Sequence, residues 1–289
     1  MNRIRADLHS HSSYSPDAKD SLEAMYQRAE ELGLGVYAVT DHCECNFWYP
    51  TEHYFPGVPE EEITDHDMYD SGRRALESIA AQFELREKYL KKLDILVGIE
   101  LGQTEQAPEL ARIIAGDERV DLIIGSHHMN RGRDDFYYLD YGKLTIEENE
   151  RLLYDCFNET LEMCRLGCFD ILGHLTYPLR YMTGEYGIKP DMGRYDEVIA
   201  EIFRTLAQNG KGIEVNSSGL RQRYGRTFPE LRYIKLFRDL GGEFISVGSD
   251  AHCTADLGKG TEEATALIAA AGFERLTYYK RRKPEFIEI

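Results

Sequence analysis

The sequence predicts a single α/β domain built as a parallel barrel, and three observations carry that prediction. Apolar, β-rich runs alternate seven times with amphipathic helical stretches. The runs are continuous Val/Ile/Leu segments of the kind buried on both faces in a parallel sheet. Side chains of metal-ligand type gather at the ends of those runs. That favours a barrel over an open sheet, because the C-terminal ends of barrel strands converge on one face. No repeat, low-complexity block or Pro/Ser-rich linker divides the 289 residues, so the whole span 1–289 is expected to form one domain.

The elements follow in order. The first strand is IRADLH, ending at His9. In SLEAMYQRAEELGLG, Leu22, Met25, Ala29 and Leu32 share one helical face, with Ser21 as N-cap and Gly33 as C-cap. VYAVTDH is the second strand; an irregular aromatic segment follows, then a long charged helix from Ser71 to Leu93. DILVGIELG, VDLIIGSHH, FDILGHL, KGIEVNSSG and EFISVGSDAH are five further strands. Helical patterns at Pro108–Ala115, Thr145–Gly167, Asp191–Asn209, Phe228–Leu240 and Thr261–Ala271 separate or follow them.

Composition narrows the function. The chain is 42% hydrophobic and 29% charged, as a globular protein with a sizeable core requires. Its net charge of −17, from 34 Lys+Arg against 51 Asp+Glu, would repel a phosphate backbone and argues against nucleic acid as a partner. A small phosphorylated substrate remains compatible, because bound divalent cations would dominate a local site. No apolar run reaches the roughly 18 residues of a membrane span. The N-terminus passes directly into the first strand, with no room for a signal-peptide core. The six cysteines match neither a disulfide framework nor paired zinc knuckles, so reduced thiols and a cytoplasmic location are expected.

Six of the seven strands end in ligand-type side chains: His9 and His11, His42, Glu100, His127 and His128, His174, then Asp250 and His252. Seven of the nine histidines lie there, and only His53 and His66 do not. One strand-end histidine is more often a satisfied polar residue than a ligand, but a cluster of uncompensated buried imidazoles would be costly. Imidazole with carboxylate suits zinc, iron and manganese. In His9-x-His11 both rings fall on one side of an extended strand, as two ligands for one ion require. Glu100, ending an otherwise apolar strand, is the natural bridge between ions. Asp7 and Asp41 precede ligand histidines, and each is placed to orient an imidazole or to hold the strand end.

Asp7-x-His9-x-His11, Thr40-Asp41-His42, Glu100 in GIELG, GSHH, GHLTYP and SDAH together resemble the motifs of the polymerase-and-histidinol-phosphatase (PHP) superfamily. Motif order is kept from Asp7 to His252. HSSYSPDA, TDH before an aromatic loop, and EVNSSGLR are most similar to the histidinol-phosphate phosphatase branch. The resemblance implies a distorted (β/α)7 barrel holding three divalent ions. It assigns His9, His11, Glu100 and Asp250 to the first ion, and Glu100, His127 and His174 to the second. Asp17, His42 and His252 would hold the third. Of GSHH, His127 is taken as the ligand by its spacing from the strand, with His128 pointing to substrate or core.

The expected reaction is hydrolysis of a phosphate monoester, L-histidinol phosphate, by a water activated between two metals. Arg180 and Arg221 are the candidates for gripping the phosphate, since guanidinium forks match phosphate oxygens; Arg194 and Arg223 are weaker ones. Asp250 or His252 would pass a proton to the leaving alkoxide. The aromatic segment 46–69 offers a lid over histidinol, or simply packs on itself. A nucleotide or sugar phosphate is the alternative substrate.

Overall fold

The computed structural model describes residues 5–63, 66–89 and 93–289. Seven strands run in sequence order in one parallel sheet: β1 (Ala6–Asp7), β2 (Val36–Glu44), β3 (Asp94–Gly102), β4 (Leu122–Ser126), β5 (Ile171–Leu172), β6 (Gly212–Asn216) and β7 (Ile245–Gly248). The sheet bends round until its two edges meet. Leu8 N donates to Val247 O (3.0 Å), Asp250 N to His9 O (2.7 Å) and His11 N to Ala251 O (2.8 Å). The barrel is thus closed by the very residues that carry the first and last ligand motifs.

Among the described residues, eight α-helices join or flank the strands: α1 (Leu22–Glu31), α2 (Thr51–Tyr54), α3 (Ser71–Leu85), α4 (Pro108–Ala115), α5 (Ile146–Leu166), α6 (Asp196–Gln208), α7 (Leu231–Asp239) and α8 (Thr261–Ala270). Their ends follow capping chemistry. Ser21 Oγ accepts from Ala24 N at the start of α1. Thr145 and Glu148 form a reciprocal capping box on α5, which Gly167 ends in the left-handed conformation.

Three expected boundaries shift. The helix expected over Ser71–Leu93 ends at Leu85 and tightens into a 3₁₀ turn at Arg86–Lys88; residues 90–92 lie outside the described residues, as does Ile4 of the first strand. The Phe228–Leu240 helix begins only at Leu231, because Phe228 is recruited to the sheet, exchanging backbone hydrogen bonds with Asn216 (2.8 and 2.9 Å). The helix expected from Asp191 opens as a 3₁₀ turn, Met192–Tyr195.

A C-terminal hairpin, β8 (Arg275–Lys280) and β9 (Lys283–Glu288), has no counterpart in the sequence reading. Its two-residue turn, Arg281-Arg282, sits at positive φ (50° and 62°), where Gly or Asn usually announces a hairpin. Tertiary contacts hold it. Arg281 N donates to Asp121 Oδ1 (2.8 Å), and Arg282 pairs with Asp170. Both aspartates sit at the entrances of their strands, where Asp121 Oδ2 accepts from Val97 N (3.0 Å) and Asp170 Oδ2 from Ile123 N (2.9 Å). The hairpin therefore seals the end of the barrel opposite the ligand motifs. Arg282→Ala is expected to lower folding stability by about 2 kcal/mol, the scale of a lost charge-assisted hydrogen bond. Denaturant unfolding measures this, and metal content should be unaffected.

Candidate metal centre

The chain concentrates its buried charge at the C-terminal ends of β1–β7. Glu100, near the end of β3, is fully buried and is the hub. Its Oε1 lies 2.9 Å from His174 Nε2 and 3.2 Å from His128 Nε2, and accepts from Ser126 Oγ at 2.5 Å. Its Oε2 lies 2.9 Å from His42 Nδ1, 3.3 Å from His9 Nε2 and 3.5 Å from His11 Nε2. On the far side, Asp250 Oδ1 is 3.4 Å from His11 Nε2. Asp17 Oδ2 stands between His252 Nε2 (3.0 Å) and His42 Nε2 (3.5 Å), and the His11 ring stacks between those of His42 and His252, with centroids 4.2 Å away on each side.

These distances test whether the residues suit divalent ions. Donors held about 2.0–2.2 Å from one ion stand about 3.3–3.5 Å apart across a tetrahedron and about 3.0 Å apart along an octahedral edge. The nitrogen–oxygen separations run from 2.9 to 3.5 Å, spanning those values, and half of them are too long for good hydrogen bonds. His9 Nε2, His11 Nε2, His42 Nδ1 and Glu100 Oε2 are buried without a hydrogen-bond partner. Buried polar atoms are seldom left so, and four of them converging on one point fit ions. Three overlapping sets, His11/His42/His252, His9/His11/Glu100 and His42/Glu100/His128, each have the spacing to hold an ion.

Of the residues the sequence singled out, His9, His11, Asp17, His42, Glu100, His174, Asp250 and His252 are brought together. His127 is not. Its ring turns away, with Nε2 2.9 Å from Asn130 Oδ1 and Nδ1 3.5 Å from Glu105 Oε1. His128 takes the place beside Glu100 and His174, so the choice between the two histidines is corrected. The reason is that β4 ends at Ser126, and side-chain alternation holds only inside a strand. His53 lies apart, its ring tilted against Tyr49, whereas His66 reaches the rim of the cavity above the site.

Two acidic residues passed over by the sequence reading support the hub. Glu44, at the end of β2, holds His128 Nδ1 through its Oε1 (2.8 Å). Glu214, inside β6, binds His9 Nδ1 through Oε1 (2.7 Å) and accepts from His174 N through Oε2 (3.0 Å). Both rings are thereby fixed with Nε2 turned toward Glu100. Each had a signal: His42-x-Glu44 repeats the alternation of His9-x-His11, and Glu214 interrupts an apolar strand just as Glu100 does. Gly102 and Gly248 leave room for these carboxylates, since a Cβ at either would overlap Glu44 or Glu214.

Asp7 and Asp41 are braces. Asp7 accepts from Ser249 N (2.8 Å) and Gly258 N (2.8 Å), tying β1 to the loop after β7. Asp41 accepts from Ser12 N (2.7 Å), Ser15 Oγ (2.9 Å) and Ser78 Oγ (2.6 Å), and Ser15 Oγ in turn meets His11 Nδ1 (3.3 Å). The loop carrying His11 is thereby pinned to β2.

The centre opens into a cavity of about 1020 Å³. Tyr177, Tyr181, Tyr186, Tyr137, Asp135 and Glu185 also line it. The Asp135 carboxyl is pushed up to about 6 by burial. Arg180 lines the same cavity: its Nη2 donates to Asp250 Oδ2 (2.8 Å) and Ser218 Oγ (2.6 Å), its Nε has no partner, and the guanidinium lies 4.8 Å over Tyr177. Arg221 does not line it. It braces the strained turn at Asp250 (φ 54°), donating from Nη2 to Asp250 O (2.8 Å). The aromatic segment mostly packs on itself, Phe47 on Tyr69 (4.6 Å) and Tyr54 on Tyr69 (5.2 Å), and only His66, Asp67 and Met68 of it face the cavity; residues 64–65 lie outside the described residues.

The electrostatics are those of a site that trades protons for cations. Burial disfavours charge on every member, yet Glu44 and Glu100 overcome it at His128 and raise it to about 10. His9, His128 and His42 in turn hold Glu100 well below the usual carboxylate range against its burial. A raised imidazole keeps its proton until the pH approaches the raised value, so below that pH an incoming ion must displace it. Metal affinity is therefore expected to fall with falling pH, about tenfold per unit for each proton displaced. Elemental analysis after dialysis at pH 8 and pH 6 checks the sign.

Comparison with known proteins gives the same picture. A PHP domain family model matches residues 7–218. A probable histidinol-phosphatase of Thermotoga maritima is 26% identical over 275 residues, covering 93% of this chain and 94% of its own. The histidinol-phosphatase of Lactococcus lactis is 25% identical over 286 residues, covering 96% of each chain. The crystal structure of a histidinol phosphate phosphatase from Lactococcus lactis, complexed with zinc, L-histidinol and phosphate, superposes with a TM-score of 0.75 at 24% identity over 97% of this chain and 98% of that one. The matched span carries every ligand-bearing strand but β7, and β7 closes the barrel beside β1. The chain belongs to the PHP domain family.

Proposed function

We propose that the protein is a metal-dependent phosphatase that hydrolyses L-histidinol phosphate to L-histidinol and phosphate. The observation that carries this reading is one cavity lined by the ligand cluster, Arg180, several tyrosines, Asp135 and Glu185 together. The names of the relatives in Thermotoga maritima and Lactococcus lactis support the substrate, and the zinc in the Lactococcus lactis structure supports a metal of that class. The whole chain, 1–289, acts as one unit in the cytoplasm, with histidine biosynthesis as its setting. No helix among the described residues is long and apolar enough to cross a membrane.

Three divalent ions of zinc, iron or manganese would be held by His9, His11, Glu100 and Asp250; by Glu100, His128 and His174; and by Asp17, His42 and His252. Bound there, they would supply an acidified water and neutralise phosphate oxygens. The chain's own groups do the rest. Arg180 offers its guanidinium to the phosphate, in an orientation fixed by Asp250 and Ser218. Arg221 acts through the Asp250 backbone rather than on substrate. Asp250 or His252, with His252 Nδ1 at 3.6 Å from Asp250 Oδ1, would relay to the leaving alkoxide the proton that the acidified water gives up. Tyr177 and Tyr181 present ring faces, and Asp135 and Glu185 present carboxyls, to the imidazole and ammonium of histidinol.

A phosphate-release screen of the metal-loaded protein decides the substrate. Histidinol phosphate is expected to be turned over with the highest kcat/KM. A nucleotide or sugar phosphate ahead of it would replace the substrate while leaving the phosphatase intact.

A further inference from the structure

Behind the main centre lies a second group of ligand-type side chains, built from Glu105 after β3, His127 after β4 and Glu159 on α5. One ligand atom from each lies within 4.8 Å of the others. The Glu105 and His127 side chains are each only 3% exposed, and that of Glu159 is 12% exposed. Neither carboxylate oxygen of Glu105 has a hydrogen-bond partner, and neither does His127 Nδ1.

The hydrogen bonding around His127 fixes what that nitrogen offers. Asn130 Nδ2 donates to Leu152 O (3.0 Å), so Asn130 Oδ1 is the atom facing His127 Nε2 at 2.9 Å. Nε2 is then an N–H, which leaves Nδ1 as the ring nitrogen facing the Glu105 carboxylate, 3.5 Å away. A buried ring nitrogen facing a carboxylate must share a cation with it, either a proton on Nδ1 or a metal ion that takes the proton's place. The separation is too long for a good hydrogen bond and matches the edge of a tetrahedral site, about 3.3–3.5 Å. Glu159 is oriented by Arg131 N, which donates to Oε2 (3.0 Å) and Oε1 (3.3 Å), with Gln106 Nε2 at 3.5 Å and the Arg131 guanidinium at 3.9 Å from Oε2. These contacts neutralise Glu159 only in part and leave Glu105 uncompensated.

We propose that Glu105, His127 and Glu159 form a separate site for one divalent cation of the zinc class, additional to the main centre. One imidazole and two carboxylates balance its charge with the histidine neutral. Its role is to tie the β3 and β4 ends to α5. Glu105 lies five residues beyond Glu100, and His127 immediately precedes His128. The site is thus a strut for the hub rather than part of the reacting surface.

The test is metal stoichiometry, which does not depend on the substrate. Zinc-loaded protein, desalted and measured by elemental analysis, is expected to lose one equivalent per chain in Glu105→Gln and in Glu159→Gln, with phosphate release retained. A crystal of the unaltered zinc-loaded protein, measured at the zinc edge, is expected to show an anomalous peak within bonding distance of His127 Nδ1 and Glu105. Equal zinc content in the unaltered and substituted proteins overturns the proposal, and so does a crystal with peaks only around Glu100 and Asp17. A main centre empty of zinc with a peak at His127 would instead refute the phosphatase reading and keep this site.

Discussion

Glu100→Gln is expected to lose metal from the main centre and to lower kcat/KM by about 10³-fold or more. The substitution keeps the side chain's volume, so packing in the fully buried site changes little. It removes the charge that His9, His42 and His128 surround, and an amide nitrogen must then face donor nitrogens that want an acceptor or an ion. Losing the contribution of even one cation costs several kcal/mol of transition-state stabilisation, which is about three decades in rate. Elemental analysis beside phosphate release measures both effects. Full metal content with unchanged turnover would remove Glu100 from its bridging place.

Arg180→Ala is expected to cost about 10²–10³-fold in kcat/KM, the scale of one removed oxyanion donor. Two effects combine. The phosphate loses its guanidinium, and Asp250 Oδ2 loses the 2.8 Å charge-assisted hydrogen bond that orients it. Arg180→Lys separates them. A lysine keeps a positive charge but not the planar fork, so most of the loss should persist if bidentate phosphate contact is the larger effect. Metal content that is unchanged in both variants, with KM raised, identifies a phosphate-binding role. Normal kinetics in Arg180→Ala would place the phosphate elsewhere in the cavity.

The site was legible in the sequence to the extent that a ligand sat at a strand end. His9, His11, His42, Glu100, His174, Asp250 and His252 could be gathered without coordinates, because parallel strands closed into a barrel must bring those ends to one face. What failed was resolution beyond the strand. His127 and His128 both follow Ser126, the last residue of β4, so no periodicity says which ring turns inward. Glu44 and Glu214 carried the same period-two and buried-charge signals as recognised residues, but Glu44 was passed over as part of the irregular segment after VYAVTDH and Glu214 as an ordinary strand position. The hairpin turn at Arg281-Arg282 lacks turn chemistry of its own, and its conformation is held by Asp121 and Asp170, distant in sequence.

The sequence by itself determined the alternation of strands and helices, the parallel barrel and the chemistry of its face. These rest on local periodicity and on where polar residues interrupt apolar runs, and a chain carries both in one dimension. Only the tertiary structure decided that His128 and not His127 meets Glu100, that Glu44 and Glu214 aim the imidazoles, and that Arg180 rather than Arg221 lines the cavity. Those outcomes depend on side-chain direction after the backbone has left its strand. There, contacts between residues far apart in the chain set the geometry, as Glu214 does for His9 and Glu44 for His128.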